Sequence, residues 1–221
     1  MRRLRFRRWR CSRRRAPDAR LRALWSAALP AVREPLSTLS FLVCDAEMSS
    51  LDPERGELLS LGWVRIEGAE IQVASARHCL LRNRRSVGQS ATVHGLRDCE
   101  LERGASAEQA LDALLRAARG GVLVFHHAAL DLAFLNRACA RAFGAPLLMP
   151  VVDTLVLEQR LMQRRDRSIA PGALRLSACR ARYRLPVHRA HNALADALAT
   201  AELFLAHCAA RGGRLRLRDV L

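Results

Sequence analysis

The chain contains no lysine: all 37 of its basic residues are arginine, against 21 acidic residues, for a formal net charge of +16. With so much alanine alongside, high-GC coding accounts for this as readily as a need for guanidinium groups, so the charge informs only through its location. Aromatic residues are scarce at 5%, and Ala, Leu and Val carry most of the apolar half of the 221 residues. That content excludes a disordered chain, which could not offset its ordering entropy, and it suffices for one core of ordinary domain size. No run of about 18 uncharged apolar residues is present, so no membrane-spanning helix is expected. Residues 24–29 are apolar, but the stretch is short, follows Arg20 and Arg22, and ends at Pro30. No export signal is expected there. The cysteines, Cys11, Cys44, Cys79, Cys99, Cys139, Cys179 and Cys208, are odd in number, widely spaced and without a CxxC pair. They argue against a disulfide framework or a zinc site and favour a reducing cytoplasm.

The excess charge is concentrated. Residues 1–40 hold 12 Arg and the acids Asp18 and Glu34, a net +10, which leaves +6 for the other 181 residues. This defines an Arg-rich arm and linker at 1–40, a domain at 41–210 and a tail at 211–221. Such an arm can neutralise phosphates in a sequence-blind, salt-sensitive way. It can equally be a solvated or partly helical extension without a dedicated partner.

Within the domain, 41–44 reads as a buried strand, and 58–66 and 71–80 as a hairpin turning at Glu67-Gly68. Ser106 caps a predicted helix, the double glycine at 120–121 stops it, and 122–125 is a further buried strand. Helices are expected at 132–143, 154–162, 174–182 and 193–208, with a short strand at 151–152. Strands first and alternating helices and strands afterwards imply an α/β fold with a mixed sheet.

Three segments carry candidate chemistry. Asp45 and Glu47 follow the first strand at i and i+2 and so project to one side. Left unpaired beside a buried strand, they would repel unless a cation lay between them; taken alone, the triplet reads more simply as a strand-end loop with two solvated acids. Asp131 stands between a strand and a helix, where a carboxylate also serves simply as a cap. His191 precedes Asp196 by five residues, and the two converge most easily if Asn192 caps the helix and His191 lies before it. Asp196 then lies on a small-residue surface that permits close approach, with Thr200 one turn on as a possible hydrogen-bond donor. Oxygen ligands suit Mg²⁺ or Mn²⁺. Two such cations held by carboxylates suit in-line attack on a phosphodiester, and a neutral His can take the water proton.

In this order the motifs resemble those of the DEDDh 3′-5′ exonucleases, the superfamily of the proofreading epsilon subunit of bacterial DNA polymerase III. Asp45-Ala46-Glu47 with Leu51-Asp52-Pro53 resembles the family's D-x-E-x-x-x-L-D-P, and the stretch from His126 to Leu135 its H-N-A-x-F-D-x-x-F-L. His191 to Asp196 resembles H-x-A-x-x-D-A, Val93-His94-Gly95-Leu96 a V/I-H-G-I/L segment, and Asp153-Thr154-Leu155 the family's D-T-L. The resemblance implies a ribonuclease H-like fold with a mixed five-stranded sheet flanked by helices. It assigns Asp45, Glu47 and Asp196 to one metal ion, Asp45 and Asp131 to a second, and His191 to general-base catalysis. Substrate contacts are implied at Ala46, Met48, Leu51, Val93, His94 and His126. The implied reaction is removal of nucleoside 5′-monophosphates from single-stranded or frayed DNA 3′ ends, in replication proofreading or repair. RNA as substrate, or a non-catalytic nucleic-acid-binding module, are the alternatives. Met48-Ser49-Ser50 replaces the family's Thr-Thr-Gly, His127 a common Asn, and Leu130 a common aromatic. No polymerase-binding tail is evident after Arg211. His78, His188 and His207 match no motif and are expected to be surface or packing residues.

Overall fold

Four consecutive apolar residues open β1 (Phe41–Met48), the central strand of a five-stranded mixed sheet ordered β3-β2-β1-β4-β5. The computed structural model describes residues 1–14, 17–83, 95–164 and 168–221. β1 pairs antiparallel with β2 (Leu58–Glu67), which pairs antiparallel with β3 (Glu70–Leu80). On its other edge β1 pairs parallel with β4 (Val122–Phe125), which in turn pairs parallel with β5 (Val151–Asp153). The apolar run of β1 is unbroken because both faces of the sheet are covered. Leu42, Cys44 and Ala46 face one core cluster, and Phe41 and Val43 face the other, as the two-residue period of a strand requires.

The helices are α1 (Arg2–Arg14), α2 (Ala19–Ser26), α3 (Asp98–Glu102), α4 (Ala107–Ala118), α5 (Ala128–Phe143), α6 (Thr154–Gln163), α7 (Leu176–Arg182) and α8 (Ala193–Ala210). Ser106 and Gln109 form a reciprocal capping box at the start of α4, whose Leu111, Leu114 and Leu115 are buried. They pack with Phe134, Leu135 and Cys139 of α5 on one face of the sheet. Ala201 and Phe204 of α8 cover the other face. α8 is long and apolar enough by composition to cross a membrane, and 44% of it is buried within the protein, including Leu203 and Phe204. Each fully buried Leu or Phe contributes about 1.5–3 kcal/mol.

The expected boundaries at 40/41 and 210/211 do not follow the packing. Leu21 and Leu24 of α2 are at most 2% exposed and belong to the same core cluster as Leu111 and Phe134. At the other end, Leu215, Leu217 and Val220 join the second cluster, and Leu36 N–H donates to the Leu215 carbonyl at 2.9 Å. Charge composition suggested an arm and a tail; a few leucines with little sequence signal fasten both to the domain.

The β2–β3 hairpin closes through Gly68 and Ala69, at φ 59° and 65°. Two positive φ values define the turn that matches strand twist, and the second position carries a Cβ that disfavours it. Ala69→Gly is therefore expected to stabilise the protein by about 0.5–1 kcal/mol, raising the melting temperature by roughly 1–4 °C. Thermal denaturation of the two proteins checks this.

Candidate active site

β1 continues through the acidic residues, so Asp45 and Glu47 lie on the strand itself, pairing across to Gly62 and Ser60 of β2. They share the side of the strand that α8 covers. A register irregularity follows between Glu47 and Met48. Gly62 is what lets α8 come close: a Cβ there would lie 2.2 Å from the Ala193 carbonyl carbon. The first turn of α8 thus rests on β2 backbone, beside the partner of Asp45. Ligand oxygens of Asp45, Glu47 and Asp196 all lie within 4.8 Å of one another. Asp131, in the first turn of α5, is 5% exposed and stands beside this trio, its carboxylate accepting from the Ala46 amide.

Asn192 caps α8 by accepting from the Ala195 N–H at 3.1 Å, and His191 lies just before the helix, exposed and at φ 64°. The Asp196 carboxylate turns back on this cap: its Oδ2 accepts from the His191 amide at 2.7 Å and the Asn192 amide at 3.1 Å. Its Oδ1 accepts from Nε2 of His188 at 2.9 Å. Thr200 is not the donor; its hydroxyl is buried without a partner. His188 was expected at the surface or in packing, yet it touches a site carboxylate. Its place eight residues before Asp196 matches no motif, and only the fold of the 183–192 segment brings it in. His207 is also buried, in a separate network where Nδ1 lies 2.9 Å from Glu158 and 3.1 Å from the Tyr183 hydroxyl.

Burial, then the charges of Asp131, Asp196 and Glu47, pushes the Asp45 carboxyl well above the usual carboxylate range. Burial, then the charge of Asp196, pushes Glu47 up to about 7. Burial raises Asp131 to about 8, although its backbone hydrogen bonds act the other way. Among the described residues no arginine pairs with Asp45, Glu47 or Asp131. Asp45, Glu47 and Asp131, half-buried or buried and without an arginine partner, offer only hard oxygen donors and fit divalent Mg²⁺ or Mn²⁺.

This arrangement sets a pH dependence. Carboxyls titrate near 4 when unfolded but nearer 7 and 8 at Glu47 and Asp131 in the fold. Between those values the folded state holds more protons, so metal-free stability falls as pH rises from about 4 to about 8. Melting temperatures in EDTA from pH 5 to 8 should decline, and a saturating divalent ion should reverse the decline. A flat EDTA profile would count against the buried cluster.

The other sequence-predicted positions scatter. Ala46 is 8% exposed, Met48 half-buried, and Leu51 projects at 79% exposure. Both ring nitrogens of His126 are engaged within the protein, Nδ1 with the Thr154 hydroxyl at 2.8 Å and Nε2 with the Leu174 carbonyl at 2.9 Å. Burial lowers its pKa, so the neutral ring donates from Nε2. Val93 and His94 lie outside the described residues. Asp153 of the D-T-L stretch accepts from the amides of His127, Ala128 and Leu155, tying the starts of α5 and α6 together.

Solved structures share this architecture. Exonuclease I of E. coli, in a complex with single-stranded DNA, superposes at TM-score 0.68 with 12% identity, over 79% of this chain and 41% of that one. Exonuclease X, in complex with 5′-overhanging duplex DNA, gives 0.58 with 18% identity, over 81% and 98%. The sheet order, with carboxylates gathered at one end of its central strand, thus defines a ribonuclease H-like α/β fold.

The family model described as Exonuclease (RNase_T) matches residues 42–204, and the chain belongs to that family, within the DnaQ-like 3′-5′ exonuclease superfamily. It is 30% identical over 167 residues to the PolC-type DNA polymerase III of Thermotoga maritima, which covers 75% of this chain and 12% of that protein. It is 27% identical over 178 residues to the DNA polymerase III subunit epsilon of Treponema pallidum, which covers 79% and 80%. The chain thus spans only a small part of the PolC-type relatives, and most of the length of the epsilon subunit.

Proposed function

We propose that this chain is a divalent-metal-dependent 3′-5′ exonuclease that releases nucleoside 5′-monophosphates from single-stranded or frayed DNA ends. One observation carries the reading: Asp45, Glu47 and Asp196, from a strand and a helix far apart in sequence, present oxygens within 4.8 Å of one another. Asp45, Glu47 and Asp196 would hold one ion, and Asp45 with Asp131 a second. Bound Mg²⁺ or Mn²⁺ would supply the positive charge that polarises water and the scissile phosphate.

The chain's own residues do the rest. The amides of His191 and Asn192 fix the Asp196 carboxylate, so the backbone at His191 adjoins a proposed ligand. Imidazole is suited to take a proton from water near neutral pH, and the exposed His191 is the base in this reading. Leu51 offers an apolar surface on which the terminal base can pack. DNA is favoured by the relatives, which are DNA polymerase III proteins. The seven free thiols fit a reducing cytoplasm.

Single-stranded DNA, DNA duplex with a mismatched 3′ end, and RNA, each 5′-labelled, test the proposal. With Mg²⁺ the expected product is a ladder shortening from the 3′ end, fastest on single-stranded DNA and absent in EDTA. Bound but uncut DNA would instead indicate a binding module, and faster RNA decay an exoribonuclease.

A further inference from the structure

The N-terminal helix has no role in the chemistry above, yet it is built to a pattern. α1 carries eight arginines in thirteen residues and no acidic residue. It is docked in one rotational setting. Arg8, 7% exposed, donates from Nε to the Leu148 carbonyl at 2.9 Å and from Nη1 to the Trp25 carbonyl at 3.1 Å. Burying a guanidinium against neutral carbonyls is costly, and the reward is orientation.

With Arg8 inward, helical spacing lays two stripes outward. Arg2, Phe6, Trp9 and Arg13 form one, and Arg3, Arg7 and Arg10 the other, all of them exposed. Phe6 and Trp9 are 55% and 51% exposed and stack at 5.7 Å between ring centroids, 28° from parallel. The Arg13 guanidinium lies over Trp9 at 4.7 Å. Beside the second stripe, Arg7 and Arg10 line a cleft of about 410 Å³ walled by Pro146 and Leu148.

We propose that this face of α1 is a second nucleic-acid site that grips the single strand away from the catalytic carboxylates. Exposed ring faces suit unpaired bases, and the row of guanidiniums matches the charge of the phosphate backbone. An acidic membrane surface is the competing occupant. It is disfavoured because the inward face of α1 is spent on the protein, leaving two aromatics and no apolar stripe to insert. α1 lies beside the segment that follows the far end of α5: Arg8 bonds the Leu148 carbonyl, five residues past Phe143, and Arg7 and Arg10 face Pro146 and Leu148. About 18 Å of helix separates Phe143 from Asp131 at 1.5 Å per residue. Only a strand several nucleotides long reaches both sites, so α1 adds affinity for long strands without touching the bond that breaks. The choice of ligand rests on the exonuclease reading; the site itself does not.

Binding of a labelled oligo-dT 20-mer to the full chain, in EDTA across a salt series, tests this. F6A/W9A should lose about tenfold in affinity or more, with an unchanged salt slope, and DNA should quench Trp9 fluorescence in the parent. R3A/R7A/R10A should lower the slope of log affinity against log salt by about 2. Turnover of a dinucleotide in Mg²⁺ should be unchanged in both, and equal melting temperatures would verify the fold. Unchanged 20-mer affinity in both variants overturns the proposal, as does aromatic-dependent binding to phosphatidylglycerol vesicles with no effect on DNA. The two readings separate cleanly. Variant-sensitive binding in EDTA with no cleavage in Mg²⁺ sinks the exonuclease reading alone, and normal cleavage with variant-insensitive binding sinks this one alone.

Discussion

Asp45→Asn should lower exonuclease turnover by roughly a thousandfold or more, while raising the melting temperature of the metal-free protein. The two effects have one cause. Asp45 is half-buried, and desolvation first, then the nearby Asp131, Asp196 and Glu47, disfavour its charge. Without a bound cation the fold must tolerate that repulsion or hold a proton; asparagine keeps the shape and removes the charge. With a cation, the same charge is what binds it. Function and stability therefore trade against each other at this position.

Asp196→Asn separates the ligand role from the structural one. Its carboxylate accepts from His188 and two amides at the cap of α8, so the amide variant should lose turnover and also fail to gain stability. Thermal melts in EDTA and in Mg²⁺, together with initial rates on single-stranded DNA, check both. Full activity in Asp45→Asn would remove the basis for a metal centre.

How much of this was legible follows from which interactions are local. The buried strands declared themselves because covered strands are unbroken apolar runs: 122–125 could be placed to the residue, and so could the start of β1 at 41, but β1 runs on past 44 to Met48, where polar residues end the apolar signal. Asn192 as the cap of α8 was legible for the same reason: a cap acts over three residues. The carboxylates were legible one by one and as an ordered set, because each sits at the edge of such an element. Where reading failed, the determinant was distant in sequence. His188 reaches Asp196 only through an irregular segment. The docking of α1 depends on Arg8 finding a carbonyl 140 positions away, and composition signalled the opposite, a free charged arm. His207 meets Glu158 across 49 residues, and no periodicity reports such a pairing.

Gly62→Ala should reduce kcat about a hundredfold, although residue 62 has no side chain to bind or react. Two lines of structure meet there. Gly62 pairs with Asp45 across the β1–β2 ladder, and the first turn of α8 lies directly on it. An added Cβ would fall 2.2 Å from the Ala193 carbonyl carbon and 2.3 Å from both its oxygen and the Leu194 nitrogen. These are backbone atoms, so no rotamer change relieves the clash, and non-bonded carbons need about 3.5 Å or more. Either β2 or the start of α8 must move by about 1 Å. Asp45 is registered to the first and Asp196, one turn along, to the second, so either movement opens the trio. Overpacking of this kind also costs about 1–3 kcal/mol. The melting temperature should therefore fall, the reverse of Asp45→Asn, while binding of oligo-dT in EDTA stays intact because α1 is untouched. Divalent-ion affinity should weaken with kcat, which calorimetric titration at pH 7.5 would read directly. A Gly62→Ala protein with native kcat and native ion affinity would show that the approach of α8 to β2 does not set the spacing of the carboxylates.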